Sequence, residues 1–152
     1  MASKLEVKVE VKSSAEKIWE SIIDSVNVLP KAMPHKYESI EIVEGDGKSA
    51  GTVNLIKYKP GMSSISTTKE KFELVDEANK TLSYSVVDGD VLKLFNFFKG
   101  TLTVTPKADH GSLVKWSCEF VKASDEVPSP DHIRDFAVKN FQDLDAYLLG
   151  VA

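Results

Sequence analysis

The sequence predicts an α+β fold in which a seven-stranded antiparallel sheet curves around one long C-terminal helix. Residues 5–11 alternate apolar and charged side chains with a period of two, as in a strand with one solvated face. Residues 39–122 contain six short runs of β-branched and aromatic residues, separated by turn signals. Beyond Pro130, apolar residues recur at helical spacing as far as Gly150. At this length, one domain spanning residues 1–152 accounts for the whole chain.

Two short helices, or one helix that breaks, are predicted after the first strand. The sequence Ser-Ser-Ala-Glu at residues 13–16 has the form of a capping box, in which the Ser13 hydroxyl and the Glu16 carboxylate bond free amides of the first helical turn. Apolar residues at helical spacing follow. Pro30 and Pro34 are expected to interrupt the helix, because proline lacks an amide hydrogen and clashes with the preceding turn.

The remaining strands and the last helix follow from turn and capping signals. Short connections suit antiparallel neighbours, because parallel strands need crossovers of a dozen or more residues. Ser129 is predicted as the N-cap of the last helix, and Pro130 as its first residue, where a missing amide hydrogen costs little. The predicted strands cover residues 39–44, 52–58, 65–75, 80–87, 91–105 and 112–122.

Composition and charge exclude several classes of protein. The net charge of -4 and the pI of about 5.4 mean that attraction to a phosphate backbone cannot drive non-specific nucleic-acid binding. A single cysteine, Cys118, forms no internal disulfide, which indicates a reducing compartment. The N-terminus lacks the apolar run of a signal peptide, and no stretch approaches the ~20 apolar residues of a membrane span. We therefore expect a cytoplasmic protein with no nucleic-acid partner and no membrane span.

The predicted architecture favours an internal cavity. A strongly curved sheet around a single helix can leave its centre unfilled, and apolar concavities with a few polar groups are the usual form of small-molecule sites. The alternative is that the inward-facing side chains form an ordinary packed core, and periodicity alone does not separate the two. Strand alternation and the apolar stripe of the last helix nominate as ligand-binding residues Glu70, Phe72, Leu82, Tyr84, Val86, Trp116, Cys118, Phe136 and Phe141.

Glu70 is the most informative polar residue of this set. It shares the parity of Phe72 and Leu74, so it is predicted to face inward with them. Burial of a carboxylate raises its pKa toward the range useful for acid–base chemistry, and Tyr84 on the next strand is the expected partner. We hypothesise that Glu70 and Tyr84 orient a polar group of the ligand and are the candidate catalytic residues of an enzyme. The alternatives are that Glu70 is paired structurally or reaches solvent at the sheet edge.

The histidines and the cysteine point to no metal or cofactor. His35, His110 and His132 show no ligand-like spacing to one another or to the cysteine. Cys118 would act as a nucleophile only beside a base that lowers its pKa. We expect it instead to pack as a small apolar residue on the inner face.

A glycine-rich loop is predicted at residues 45–51 (Gly-Asp-Gly-Lys-Ser-Ala-Gly). Its glycines spell part of a dinucleotide fingerprint and the end of a phosphate-binding P-loop. Both motifs require a helix directly after the glycines, whereas residues 52–58 are predicted as a strand. A glycine-adapted hairpin turn is therefore the expected structure. The candidate residues of the loop are Gly45, Asp46, Gly47 and Gly51.

Several segments together resemble a known family. They are the loop at residues 44–52, the sequence Tyr-Ser-Val-Val-Asp-Gly-Asp at residues 84–90, the pair Lys115-Trp116 and the helix entry Pro128-x-Pro130. They resemble the plant major latex protein-like branch of the birch-pollen-allergen, or pathogenesis-related class 10, superfamily, and the similarity runs the whole length. The resemblance implies a helix-grip (START-like) fold with a large hydrophobic cavity for hormones, steroids, fatty acids or other lipophilic metabolites. It also implies a link to defence and stress responses, and a few relatives catalyse reactions of alkaloids or terpenoids.

The sequence departs from parts of that superfamily. Residues 48–50 (Lys-Ser-Ala) stand where the pollen-allergen branch carries additional glycines. The related abscisic acid receptors use a Ser-Gly-Leu-Pro-Ala gate and a His-Arg-Leu latch, and neither occurs in this sequence. This argues against a hormone receptor of that mechanism.

Three functions remain open from the sequence. The first is a carrier of hydrophobic plant small molecules, monomeric or weakly dimeric, with specificity from Glu70, Tyr84 and Asn54. The second is a cofactor-independent enzyme that guides cyclisation or condensation of an iridoid-like terpenoid or an alkaloid intermediate. The third is a storage or stress protein without a defined ligand. The carrier is favoured because no complete set of acid, base and oxyanion donors can be assembled.

Overall fold

The structure is a computed structural model that describes residues 3–60, 66–124 and 130–150. Within these ranges, seven strands form one antiparallel sheet in the order β1-β7-β6-β5-β4-β3-β2. The predicted fold class is confirmed. In chain order the elements are β1 (Ser3–Val11), α1 (Ala15–Ile23), α2 (Ser25–Ala32), β2 (Tyr37–Glu44), β3 (Val53–Tyr58), β4 (Thr67–Asp76), β5 (Thr81–Gly89), α3 (Val91–Leu94), β6 (Phe95–Pro106), β7 (Ser112–Lys122) and α4 (Pro130–Leu148).

The last helix is attached to the start of the fold through one carboxylate. α4 packs against β1, α1 and α2. The carboxylate of Asp145 accepts hydrogen bonds from the backbone N–H of Lys12 at 3.0 Å, the N–H of Ser13 at 2.9 Å and the Ser13 hydroxyl at 2.6 Å. Hydrogen bonds to an ionised acceptor are the strong ones, so this contact fixes the C-terminal part of α4 to the connection between β1 and α1.

The capping of α1 differs from the predicted capping box. Ser14 is the N-cap, and its side chain accepts a hydrogen bond from the N–H of Lys17 at 3.3 Å. The Ser13 hydroxyl donates to Asp145 instead of capping the helix. The predicted role of Ser13 is therefore wrong, because a carboxylate more than a hundred residues away in sequence takes its hydroxyl.

The two short helices are confirmed, but the break lies elsewhere. It falls at Asp24, whose backbone (φ -95°, ψ 37°) leaves the helical region. Pro30 lies inside α2, so the predicted interruption at this residue is wrong. The missing N–H of Pro30 leaves the carbonyl of Val26 without its helical partner. α2 ends two residues later, at Ala32.

The predicted strand over residues 91–105 begins instead with a helical turn. α3 covers Val91–Leu94, and β6 starts at Phe95. Asp90 precedes the turn, accepts two backbone N–H groups at the start of β4 at 2.7 and 3.3 Å, and pairs with Lys93 at 2.9 Å. These contacts tie the turn to the neighbouring strand, and the strand pattern alone does not reveal them.

A β-bulge in β4 changes the parity of its second half. The register to β5 shifts between Phe72 and Leu74. Leu74 is 49% exposed, whereas Val75 packs against the core. The parity predicted for Glu70 and Phe72 therefore does not extend to Leu74, because the extra residue of a bulge reverses the alternation.

The start of α4 is only partly described. Pro130 is its first residue, and the predicted N-cap Ser129 lies outside the described residues. Ala137, Phe141 and Leu144 are buried along the predicted apolar stripe, while Phe136 at its edge is 43% exposed. Among the helices described, none is long and apolar enough to cross a membrane.

Candidate functional site

A cavity of about 420 Å³ lies between the concave face of the sheet and α4. Its wall is mostly aliphatic and aromatic, with contributions from the helices α1 to α4 and the strands β2 to β7. This is the size range of small-molecule sites in proteins. The predicted residues that line the cavity are Glu70, Phe72, Leu82, Tyr84, Val86, Trp116, Phe136 and Phe141.

Cys118 is the predicted site residue that lies away from this cavity. It is 2% exposed, sits between Leu5 of β1 and Gly100 of β6 in the sheet, and belongs to the packed core. Burial raises the pKa of its thiol to about 11. A thiol protonated at neutral pH is a poor nucleophile, so the structure favours the packing role over the catalytic one.

Two neighbours fix the position of Tyr84 in the wall: Trp116, which donates a hydrogen bond to it, and Gly100, which leaves room for its ring. The indole Nε1–H of Trp116 donates a hydrogen bond to the Tyr84 hydroxyl oxygen at 3.1 Å. The tyrosine ring lies against the backbone of Gly100, where any side chain would overlap its outer ring atoms. The hydroxyl of Tyr84 therefore has a fixed position and keeps its own proton for a further acceptor.

Glu70 faces the cavity from the middle of β4. It lies across from Asn54 of β3 and Val86 of β5. Burial raises the pKa of its carboxyl to about 7. Throughout the described residues it has neither a hydrogen bond nor an ion pair, and the predicted bond to Tyr84 is absent, since the Tyr84 hydroxyl contacts Trp116. The carboxyl group is thus available to a ligand.

Three tyrosines line the cavity together with this carboxyl group. The pKa values of Tyr37, Tyr58 and Tyr84 are all raised, first by burial and further by the negative charge of Glu70. The rings of Tyr37 and Tyr58 lie 5.5 Å apart. All three phenols consequently stay protonated at neutral pH, and Glu70 is the acid of this group that titrates there.

Two further polar side chains in the wall lack partners. Asn54 and Thr68 are 2% and 1% exposed, and within the described part of the chain the oxygens Asn54 Oδ1 and Thr68 Oγ1 have no hydrogen-bond partner. Buried polar atoms without a partner are rare in proteins and costly. Sequence reasoning nominated Asn54 but missed Thr68, although Thr68 has the parity of Glu70 two residues along the same strand.

A polar contact joins α4 to the start of β2 at one side of the cavity. The side-chain oxygen of Asn140, a lining residue, accepts from Lys36 Nζ at 3.1 Å and from the Tyr37 hydroxyl at 3.3 Å. Lys36 is 4% exposed, and burial lowers its pKa against the opposing effect of Asp143, 3.6 Å away. Asn140 lies one helical turn after Phe136, a signal that places it on the same face and that the sequence analysis did not use.

The glycine-rich loop is a self-contained turn that does not line the cavity. The carboxylate of Asp46 accepts from the backbone N–H groups of Lys48 and Ser49 and from the Ser49 hydroxyl, each at 2.8 Å. These bonds hold the pKa of Asp46 at about 2. The loop amides that a phosphate would need are therefore already bonded to an anion, and β3 follows the loop, as the turn interpretation predicts.

Comparison with protein families matches residues 1–150 to the pathogenesis-related protein Bet v 1 family. The chain belongs to the Bet v 1 family. It is similar to MLP-like protein 423 of Arabidopsis thaliana, with 48% identity over 145 residues, 95% of this chain and 93% of the relative. The resemblance to major latex protein-like sequences is thereby confirmed.

Solved structures of the Bet v 1 family superimpose on nearly the whole chain. Ginseng major latex-like protein 151 from Panax ginseng has a TM-score of 0.86 at 23% identity and covers 97% of each chain, which shows the shared fold. Norcoclaurine synthase from Thalictrum flavum has a TM-score of 0.76 at 25% identity, covering 98% of this chain and 87% of the synthase. The Bet v 1 fold is known to bind hydrophobic ligands. A major latex-like protein and an enzyme thus share this architecture.

Proposed function

We propose that this Bet v 1 family protein binds a hydrophobic plant small molecule, of steroid, terpenoid, fatty-acid or hormone-like type, in the cavity between sheet and α4. The observation that carries the proposal is the cavity itself, about 420 Å³ of apolar-lined space that the protein's own side chains leave unfilled. A ligand that removes about 300 Å² of apolar surface from water gains roughly 7 kcal/mol before the entropic costs of binding. Micromolar affinity needs a net gain of about 8 kcal/mol, so we expect apolar burial to supply a large part of the binding energy and polar contacts in the wall to supply the rest.

The proposal also covers the domain organisation, oligomeric state, cellular location and biological role of the protein. We propose that residues 1–152 act as one domain, as a monomer or weak dimer, in the cytoplasm and in defence or stress responses. The single buried cysteine and the family description as pathogenesis-related support these points. Light scattering of the purified chain tests the oligomeric state, and imaging of a fluorescent fusion in plant cells tests the location.

Binding is tested with Nile red, a neutral dye whose fluorescence rises in apolar surroundings. We expect saturable binding that steroids, terpenoids, flavonoids or fatty acids displace. Ala137→Leu places extra carbons in the cavity wall and is expected to weaken dye binding about tenfold. Ala146→Leu, the same change on α4 at a residue that does not line the cavity, is the control and should leave it within twofold.

Absence of saturable Nile red binding would overturn the carrier proposal. Equal loss of binding in the two alanine variants would also contradict it, because the dye would then report a general loosening of α4. A thermal melt of each variant, recorded in parallel, separates local filling of the cavity from destabilisation.

A second candidate function is supported by one observation. Glu70, with a pKa of about 7 in an apolar wall beside Tyr84, has the properties of a general acid or base. Under this proposal the cavity guides cyclisation or condensation of an activated terpenoid or alkaloid precursor without a cofactor. Turnover of such precursors above the spontaneous rate, lost in Glu70→Gln and retained in Ala146→Leu, would support an enzyme. If the protein converts these precursors no faster than they react spontaneously, the enzyme proposal is rejected and the carrier proposal stands.

A further inference from the structure

One part of the cavity wall brings together three side chains whose acceptor oxygens lack a partner among the described residues. Asn54 of β3 lies directly across from Glu70 of β4, and Thr68 precedes Glu70 by two residues on the same face. Cross-strand neighbours of this kind are about 5 Å apart, so the three side chains form one patch, the acceptor patch. Asn54 Oδ1 and Thr68 Oγ1 are unbonded, and the Glu70 carboxyl has no partner in the described residues.

No positive charge in the described wall balances this patch. The lining includes no lysine, arginine or histidine among the residues that the structure describes. Lys36, a buried cation among the described residues, does not line this cavity; it bonds Asn140 and pairs with Asp143. A desolvated carboxylate without a counter-ion is unfavourable, and a bound cation that also donates hydrogen bonds removes that penalty.

Aromatic rings complete the surroundings of the patch. Tyr37, Tyr58 and Tyr84 line the same cavity as the patch, and the charge of Glu70 adds to the effect of burial in raising the pKa of each. The faces of such rings attract a cation through the ring quadrupole. An ammonium group at the acceptor patch would therefore meet negative oxygen atoms in a cavity that also holds aromatic rings, while the rest of the cavity takes an apolar body.

We propose that the cavity selects lipophilic amines, held as ammonium ions by Glu70, Asn54 and Thr68. The inference rests on the proposed binding function and narrows it to one ligand class. It also disfavours lipophilic carboxylates such as fatty acids, because a second carboxylate beside Glu70 would be repelled and would find no cation in the described wall. Neutral alcohols bind through their apolar part and one hydrogen bond.

The test compares three ligands that share an apolar body. They are 2-(2-naphthyl)ethylamine, 2-(2-naphthyl)ethanol and 3-(2-naphthyl)propionate, measured by isothermal titration calorimetry at pH 8. We expect the amine to bind about 10- to 100-fold more tightly than the alcohol, the range that charge-assisted hydrogen bonds provide. The propionate is expected to bind more weakly than both.

Acidity provides the second arm of the test. An alkyl ammonium keeps its charge between pH 5.5 and pH 8, whereas Glu70 is protonated over that range as the pH falls below about 7. Among the described residues, the other titratable groups of the cavity wall near Glu70 are the three tyrosines, whose pKa values are raised out of the range, and the pKa of the buried Cys118 is about 11. Amine affinity should fall about tenfold or more at pH 5.5, and alcohol affinity should change less than twofold.

Two variants assign the effect to the patch. Glu70→Gln keeps the shape of the side chain and is expected to abolish the preference for the amine while leaving alcohol affinity within twofold, which also shows that the variant is folded. Glu73→Gln is the matched control on the same strand. Glu73 is exposed and accepts from the Ser85 hydroxyl at 2.7 Å on the outer face, so its loss should change neither affinity.

The outcomes distinguish the two proposals. Equal binding of amine and alcohol, or an amine preference that persists in Glu70→Gln, overturns the ligand class and leaves the binding function standing. If the propionate binds most tightly of the three ligands, the proposed ligand class is likewise overturned and the binding function stands. Failure of all three ligands and of Nile red to bind overturns the binding function and, with it, the ligand class.

Discussion

The position of Tyr84 in the cavity wall depends on the absence of a side chain at Gly100. A Cβ added to Gly100 would overlap Cζ and Cε1 of the Tyr84 ring and lie 2.5 Å from its hydroxyl oxygen. The ring cannot move freely, because its hydroxyl oxygen accepts a hydrogen bond from Trp116 Nε1 at 3.1 Å. The backbone of Gly100 is not in the left-handed region, so alanine is tolerated by the main chain and the cost of Gly100→Ala is one of packing.

The size of the effect follows from these contacts. Forcing a methyl group into a packed wall costs typically about 1–3 kcal/mol. Loss of the bond between Trp116 and Tyr84 adds about 1 kcal/mol. Replacing glycine within a strand returns about 0.5–1 kcal/mol, because alanine restricts the unfolded chain. We expect a net loss of about 1–3 kcal/mol in the free energy of unfolding, seen as a drop in Tm of roughly 2–4 °C for each kcal/mol.

Urea unfolding followed by circular dichroism measures this loss, and two backgrounds identify its cause. Tyr84→Leu keeps an apolar side chain but removes the ring atoms that the new methyl group would meet. Tyr84→Phe removes the hydroxyl and keeps the ring. We expect Gly100→Ala to cost almost nothing in the leucine background and most of its full cost in the phenylalanine background. Equal costs in all three backgrounds would refute the steric account.

Three further predictions concern the attachment of α4 and the polar side chains of the cavity wall. Asp145→Asn should lower the free energy of unfolding by about 1–3 kcal/mol in urea titrations, because the amide cannot serve all three donors at Lys12 and Ser13. Stability should fall by up to about 3 kcal/mol between pH 4.5 and pH 7, because the pKa of Glu70 is higher in the folded chain than in the unfolded one; Glu70→Gln should remove this slope. Thr68→Val should leave stability unchanged or raise it by about 1 kcal/mol, since the hydroxyl oxygen lacks a partner, and a loss above 1 kcal/mol would contradict that.

The fold could be predicted because its signals are local. The alternation in β1 and the apolar stripe of α4 each depend on residues close in sequence, and both are borne out by burial. The errors arise where a distant residue decides the local structure. Ser13 is taken by Asp145 from α4, and the turn at Val91–Leu94 is stabilised by contacts of Asp90 with the start of β4.

The residues of the cavity wall could be predicted from the sequence only where the alternation of a strand continues without a bulge. Glu70 and Phe72 share a face as expected, but the bulge that follows them turns Leu74 outward. Cys118 has the correct parity for an inner-face residue and still lies outside the cavity wall, in the core beside Gly100. Parity fixes the side of the sheet, whereas the boundary between core and cavity depends on how far α4 stands from each strand.

The chemistry of the acceptor patch argues that the cavity has been kept for binding rather than left as a packing defect. Two buried oxygens without partners and one desolvated carboxyl group each cost stability, on the order of 1–3 kcal/mol for an unsatisfied group. Valine at Thr68 would avoid part of that cost at the same volume. An empty pocket arising from imperfect packing has no reason to concentrate such groups on two adjacent strands, β3 and β4, within an otherwise apolar wall. Stability given up at one place in a fold is the usual mark of a functional site.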